Sequence, residues 1–165
     1  MIRSKWRAFA VLIAVFGLSA GESFAARVLV AELLARAPAA TGQPVMSGLA
    51  LEACLRRAQE LDRTGFAIDI DVVAIDRLAA EGTLLQSQID AELPMLGGYD
   101  EKGLNDFQRR VIRHEEVARQ FKIDFPAYQK SQKDYDAAVA EFDHDCANGF
   151  TGDDRDAVKA GLGIK

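Results

Sequence analysis

Two apolar stripes lie between Cys54 and Cys146, and they constrain this chain more than any other feature. Their members are spaced alternately three and four residues apart, which is the spacing of helices that wind about a partner. The first stripe comprises Cys54, Ala58, Leu61, Gly65, Ile68, Val72, Ile75, Ala79, Gly82, Gln86, Ile89, Leu93 and Leu96, and the second comprises Leu104, Phe107, Val111, His114, Ala118, Phe121, Phe125, Tyr128, Gln132, Tyr135, Val139, Phe142 and Cys146. If the chain folds back near residue 100, each member of the first stripe faces one member of the second, and Cys54 faces Cys146. We therefore expect an all-α fold: a long antiparallel two-helix coiled-coil hairpin closed by a disulfide, with short N- and C-terminal helical segments.

The facing side chains differ in size as the layers of a packed core do. Small residues meet large ones at Ala58 with Phe142, Gly65 with Tyr135, and Ala79 with Phe121. Such alternation fills space at the density of protein interiors. One layer is polar, because Gln86 faces His114. These two side chains can hydrogen-bond to each other and would penalise a shifted register.

The N-terminal residues 1–25 have the form of a secretory signal peptide. A positively charged start precedes a thirteen-residue apolar run, and Ser23-Phe24-Ala25 is a small-x-small cleavage site. The apolar run is shorter than the roughly 20 residues of a membrane-spanning helix. We expect cleavage near Ala25 and a periplasmic or secreted protein with no membrane contact after cleavage; retention of the segment as an anchor is the alternative.

The remaining chain reads as one domain with short flanking segments. Residues 26–46 form a short segment, helix or strand, followed by a linker; residues 47–149 form the hairpin, with arms at about 47–93 and 100–148; residues 150–165 form a C-terminal tail. Ser47 is a candidate helix cap. The β-branched run 66–75 could pass for a strand, but the stripe continues through it, so we expect helix. Pro126 is expected to kink the second arm or divide it.

Charge and cysteine content narrow the classes of partner. The chain has 20 basic and 25 acidic residues. Loss of residues 1–25 removes three basic and one acidic residue, which leaves 17 and 24 and a formal charge of −7. Nucleic-acid binding needs clustered Lys and Arg, so it is not expected. Two cysteines in an exported chain indicate one disulfide.

The residues that could carry chemistry have a simpler structural interpretation. His114 lies within the second stripe, and we expect it to fix the register. His144, in Asp143-His144-Asp145-Cys146, resembles a metal cluster, but consecutive helical residues point in different directions. No phosphate-binding loop or nucleophile motif is present in the sequence. We expect no catalytic residue, no cofactor and no metal site, and we do not expect an enzyme.

Apolar residues outside the two stripes form a surplus. Phe66, Ile70 and Val73 follow a helical spacing of their own and form the candidate interaction surface. Further members of the surplus are Leu51, Leu55, Leu78, Leu84, Ile112 and Ile123. One hairpin buries one stripe per arm, so the surplus must be covered by the N-terminal segment, a second copy or another protein. We expect a protein partner or self-association, and homo-oligomers are the commonest form.

The last third of the sequence resembles uncharacterised small exported helical-hairpin proteins of Gram-negative bacteria. Tyr128, Tyr135 and Phe142 at heptad spacing, followed by Cys146-Ala147 and Phe150, carry this resemblance. Asp136 and Asp143 stand where such proteins often have Asn. The resemblance implies the compartment and the hairpin, and no activity.

A weaker resemblance is to the periplasmic chaperone Skp. It rests on an exported chain of similar length, in which 26–32 precedes long helical arms. Skp-like proteins form trimers and hold unfolded outer-membrane proteins between basic arms, whereas this chain is acidic and has a predicted disulfide at the base of the hairpin. The function expected first is a non-enzymatic structural or protein-interaction module, and the alternative is a Skp-like holdase for unfolded envelope proteins.

Overall fold

A computed structural model describes residues 28–36 and 45–164 of the chain. Within them, α1 is Leu29–Ala35, α2 is Gly48–Glu92, α3 is Glu101–Asp145 and α4 is Gly152–Leu162. A 3-10 helix, Leu93–Gly98, joins α2 to α3. These two long helices run antiparallel and pack together, and a disulfide joins Cys54 to Cys146. The predicted all-α hairpin closed by a disulfide is therefore confirmed, whereas the predicted signal peptide and most of the linker lie outside the described residues.

The ends of the long helices follow from local side chains. Ser47 accepts a hydrogen bond from the Ala50 N–H at 3.2 Å, which confirms Ser47 as the cap of α2. This helix gives way to the 3-10 helix where Pro94 follows, because proline cannot donate to the preceding turn. Asp100 accepts a hydrogen bond from the Gly103 N–H at 2.8 Å and so caps α3. Each long helix has 45 residues.

The long helices are continuous at the two places where the sequence suggested a break. Residues 66–75 are helical, so the strand alternative is wrong. Pro126 lies inside α3 and does not divide it. A proline in a helix interior costs about 3 kcal/mol, which burial of the apolar stripe along a helix of this length can offset.

The described residues form two compact units. The turn unit comprises residues 70–129 and has Ile75, Ile89, His114 and Val117 in its core. Arg113 pairs with Glu81 at 2.7 Å, and Arg110 pairs with Glu92. Leu93 and Leu104 belong to the predicted stripes but are exposed. Leu93 lies in the 3-10 helix, where the α-helical period no longer applies. Leu104 was predicted to face Leu96, which lies in the same 3-10 helix.

The disulfide unit comprises residues 28–36, 45–69 and 130–164. Its largest fully buried side chains are Leu29, Leu33, Leu51, Leu55, Phe142, Cys146 and Phe150. Leu51 and Leu55, two members of the predicted surplus, are thus covered within this unit. The Met46 N–H donates to the Gly149 carbonyl at 2.8 Å, where Val45 and Gly149 form an isolated parallel bridge. The C-terminal helix α4 has 11 residues within the predicted tail, and Thr151 caps it by accepting a hydrogen bond from the Asp154 N–H at 3.1 Å.

Candidate interaction surface

The disulfide lies in a buried cluster of side chains. Cys54 is 8% exposed and Cys146 is 2% exposed, and their Cα atoms are 6.0 Å apart. The Met46 thioether sulfur contacts the Cys54 sulfur at 3.7 Å. The Arg36 guanidinium donates to the carbonyl oxygen of Cys146, where the end of α3 leaves carbonyl groups without helical partners. The bond is thus shielded from dissolved thiols.

A carboxylate of α2 holds the start of α1. The N-cap position of α1, Val28, provides no side-chain cap. Instead, Asp62 accepts hydrogen bonds from the N–H groups of Leu29 at 2.7 Å and Val30 at 3.2 Å. Helix N-termini favour negative charge, so Asp62 serves as a cap from another helix. Sequence reasoning missed this role, because Asp62 lies 33 residues from Leu29 and no local pattern joins them.

Two acidic residues near His144 form ion pairs with α2 within the disulfide unit. Arg57 binds Glu141 at 3.0 Å and Asp145 at 2.9 Å. In the predicted register Arg57 faces position 143. The two ion-pair partners of Arg57, Glu141 and Asp145, lie on either side of that position. A hydrogen bond with His144 and the bonds from Arg57 lower the pKa of Asp145. Among the described residues, no group of three or more His, Cys, Asp or Glu side chains is placed to hold a metal ion.

The predicted polar layer lies in the turn unit. His114 is buried, at 4% exposure, and this burial lowers its pKa, while nearby Glu115 and Asp90 act in the opposite direction. Gln86 is half-buried, and its side-chain amide donates to Asp90 at 2.9 Å. The direct hydrogen bond between Gln86 and His114 stays a prediction. The geometry does place Asp90 near both residues.

The three residues of the candidate interaction surface are all exposed. Phe66 is 65% exposed in the disulfide unit; Ile70 and Val73 are 56% and 49% exposed in the turn unit. Large apolar side chains at such exposure are informative when they recur at a fixed spacing rather than singly. Their role in binding stays a prediction.

The spacing of these residues continues further along α2. We call Ile70, Val73, Arg77, Ala80 and Leu84 the outer stripe; Leu84, its last member, is 59% exposed. At about 100° per residue, the outer stripe lies roughly 160° around α2 from the stripe that forms the core. Sequence reasoning assigned Phe66, Ile70 and Val73 to the candidate interaction surface and Leu84 to the surplus, and it missed Arg77 and Ala80. The alternation of three and four residues, already used for the core, would have found them.

The outer face of α3 is less apolar over the same unit. Ile112 and Ile123 are 56% and 62% exposed. Between them at helical spacing lie Glu116 and Arg119, and Glu116 pairs with Arg113 at 3.6 Å. This face therefore has isolated apolar residues and no continuous stripe. A depression that is largely open to solvent lies along the first turns of α3, and its lining residues all lie between Asp100 and Ile112.

Comparisons with known proteins identify no relative. No protein family, no curated protein and no solved structure matches the chain. Over residues 28–36 and 45–164, no helix is long and apolar enough to cross a membrane.

Proposed function

We propose that the protein is a periplasmic or secreted structural module that binds another protein chain through the outer stripe of α2, and that it is not an enzyme. The observation that supports this most is the exposure of Ile70, Val73 and Leu84 on the side of α2 away from the core. Exposed apolar side chains that recur along one face of a helix are typical of a binding face. Helical anchors at a three-and-four spacing fit a second helix.

The regularity of α2 gives this surface a fixed backbone. α2 is one uninterrupted helix of 45 residues, so the outer stripe is presented on a regular element and not on a loop. A preorganised helix loses little conformational entropy when a partner binds, so more of the contact energy remains as affinity.

Site-specific crosslinking in intact cells tests this proposal. A photoreactive amino acid replaces Ile70, and the matched control replaces Ile112, which has the same 56% exposure on the other long helix. We expect one discrete adduct from position 70, identified by mass spectrometry and lost when Leu84→Asp is added. Equal adducts from both positions, or none from position 70, would contradict the proposal.

The proposed compartment has its own test. The signal-like residues 1–25 and the disulfide together support export. Intact-mass measurement of the protein recovered from a periplasmic or secreted fraction should show a chain that begins at Ala26. Protein that retains Met1 and stays in the cytosolic fraction would refute export.

A second candidate function is the holdase role. The turn unit exposes apolar residues on both long helices and on the 3-10 helix between them. They are Ile70, Val73, Leu84, Leu93, Met95, Leu104, Ile112 and Ile123. A holdase should suppress aggregation of an unfolded outer-membrane protein at near-stoichiometric ratios. Ile70→Asp and Ile112→Asp should then weaken the suppression of aggregation equally, because unfolded clients contact apolar surface without a defined register.

A further inference from the structure

We infer that the occupant of the outer stripe is a second copy of this chain, whose α2 packs antiparallel against the first α2 with the two-fold axis at the level of Ile75. This inference rests on the proposed function, since it names the partner of the same surface. The inference rests on self-complementarity. When the outer stripes of two copies are placed side by side in opposite directions, their side chains match in size and in charge.

The size match appears when residues are paired across this axis. Ile70 of one copy then faces Ala80 of the other, and Val73 faces Arg77. In heptad terms, each layer pairs an a position of one helix with a d position of the other, which is the pairing found in antiparallel coiled coils. A large residue meets a small one at Ile70 with Ala80, so the helices can approach closely.

The charge match is reciprocal. Asp76 and Arg77 are adjacent on α2, and neither forms an ion pair with any residue that the structure describes. In the antiparallel pair, the stem of Arg77 lies on Val73 of the other copy, one turn from that copy's Asp76. Two symmetric Arg77–Asp76 ion pairs therefore form across the axis. The same axis also brings Asp76 of each copy close to Asp76 of the other, so each Arg77 lies near both carboxylates; a parallel pair would instead place Arg77 beside Arg77, which like-charge repulsion disfavours.

The outer face of α3 does not offer the same match. Glu116 is already paired with Arg113, and the three-and-four spacing from Ile112 reaches only Ile123 as a second large apolar residue. A contact between unlike faces of successive copies would also leave an unmatched face at each end and continue as a filament. The antiparallel α2 pair closes as a dimer.

Sedimentation equilibrium of the mature, oxidised protein tests the dimer. We expect a dimer, and we expect Ile70→Asp to weaken the dissociation constant by about 30-fold or more, the cost of losing a central anchor. Ile112→Asp, at equal exposure, should leave the dissociation constant unchanged within about threefold. Helical circular dichroism should be the same for all three proteins. A wild-type protein that stays monomeric at the highest concentration it tolerates, or equal weakening by both substitutions, would overturn the inference.

A pair of cysteine variants tests the direction and the register. Both natural cysteines are in the disulfide, so an introduced thiol is the only one in the chain. In a dimer of the Ile70→Cys variant alone, or of the Ala80→Cys variant alone, the two identical thiols lie about 15 Å apart along the helix axis. Neither variant alone should therefore form a disulfide-linked dimer. In an equal mixture, the thiol at position 70 of one variant should oxidise with the thiol at position 80 of the other and give a dimer on a non-reducing gel. Dimers from either variant alone at the rate of the mixture would overturn the antiparallel arrangement.

The two proposals fail differently. If wild-type protein is a monomer and position 70 still crosslinks in cells to one different protein, the second copy is excluded and the interaction module stands. If position 70 crosslinks to nothing, both are excluded.

Discussion

His114 is a buried histidine in the core of the turn unit, so its protonation should lower stability. Burial holds its folded-state pKa below the ordinary value of 6.5, so the folded state binds the proton less well than the unfolded state does. The contribution of neutral His114 to the free energy of unfolding is therefore fully present well above pH 6.5. It decreases as the pH falls through and below that value, by at most about 1.4 kcal/mol per pH unit.

Urea denaturation on either side of that pH, at about 7.5 and about 5.5, checks this prediction. His114→Gln should reduce the pH dependence of the wild-type protein between these values. The control is His144→Gln, because the side chain of His144 is 88% exposed. An unchanged pH dependence in His114→Gln, or an equal reduction in both variants, would contradict a role for burial.

Gly82 is a position where a larger side chain should stabilise the protein. It lies inside α2, and a Cβ atom there would be 3.5 Å from the Val117 Cγ1 atom, an ordinary van der Waals contact. Glycine in a helix interior costs about 0.5–1 kcal/mol relative to alanine. Gly82→Ala should therefore raise the free energy of unfolding by about that amount.

The comparison variant for this prediction is Gly103→Ala. A Cβ atom at Gly103 would approach the Tyr99 ring at 3.1 Å, closer than side chains normally pack. In thermal melts, Gly82→Ala should raise the midpoint, whereas Gly103→Ala should gain less because Tyr99 must move. Destabilisation by Gly82→Ala would show that the helices are packed more tightly there.

Helix α1 depends for its start on Asp62, a residue of α2. It has seven residues, fewer than an isolated helix needs in water. Asp62→Ala removes the acceptor of both first-turn N–H groups and should lower the free energy of unfolding by about 1–3 kcal/mol. In Asp62→Ala, hydrogen exchange of the α1 amides should accelerate relative to wild type by a larger factor than that of the α4 amides. Asp62→Asn keeps one neutral acceptor and should lie between wild type and alanine; full protection of α1 in the alanine variant would contradict this role.

The long helices could be predicted from sequence, and the contacts of the short ones could not. Ser47 and Pro94 are local signals, so the bounds of α2 are close to those predicted. The cross-helix partners of Arg57 agree with the register fixed by Cys54 and Cys146. The capping of α1 by Asp62 and the bridge of Val45 with Gly149 depend on residues distant in sequence. No periodicity connects such residues, so only the folded arrangement shows them.

The Cys54–Cys146 disulfide joins the two arms of the hairpin. The disulfide closes a loop with a sequence separation of 92 residues. By the chain-entropy model, a loop of this size contributes about 4–5 kcal/mol of stability by restricting the unfolded chain. The double variant Cys54→Ser with Cys146→Ser should lose about this amount in urea denaturation, and its folded circular dichroism spectrum should be retained at low temperature. A loss below about 1 kcal/mol would show that the unfolded chain is already compact.

The position of this bond also decides what a protease can do to the molecule. The exposed 3-10 helix, with Leu93 and Met95 about half accessible, lies inside the closed loop. A single cut there produces two polypeptides that remain linked through sulfur, so the nicked chain keeps its size until it is reduced. Limited digestion should therefore yield one band without reductant and two with it.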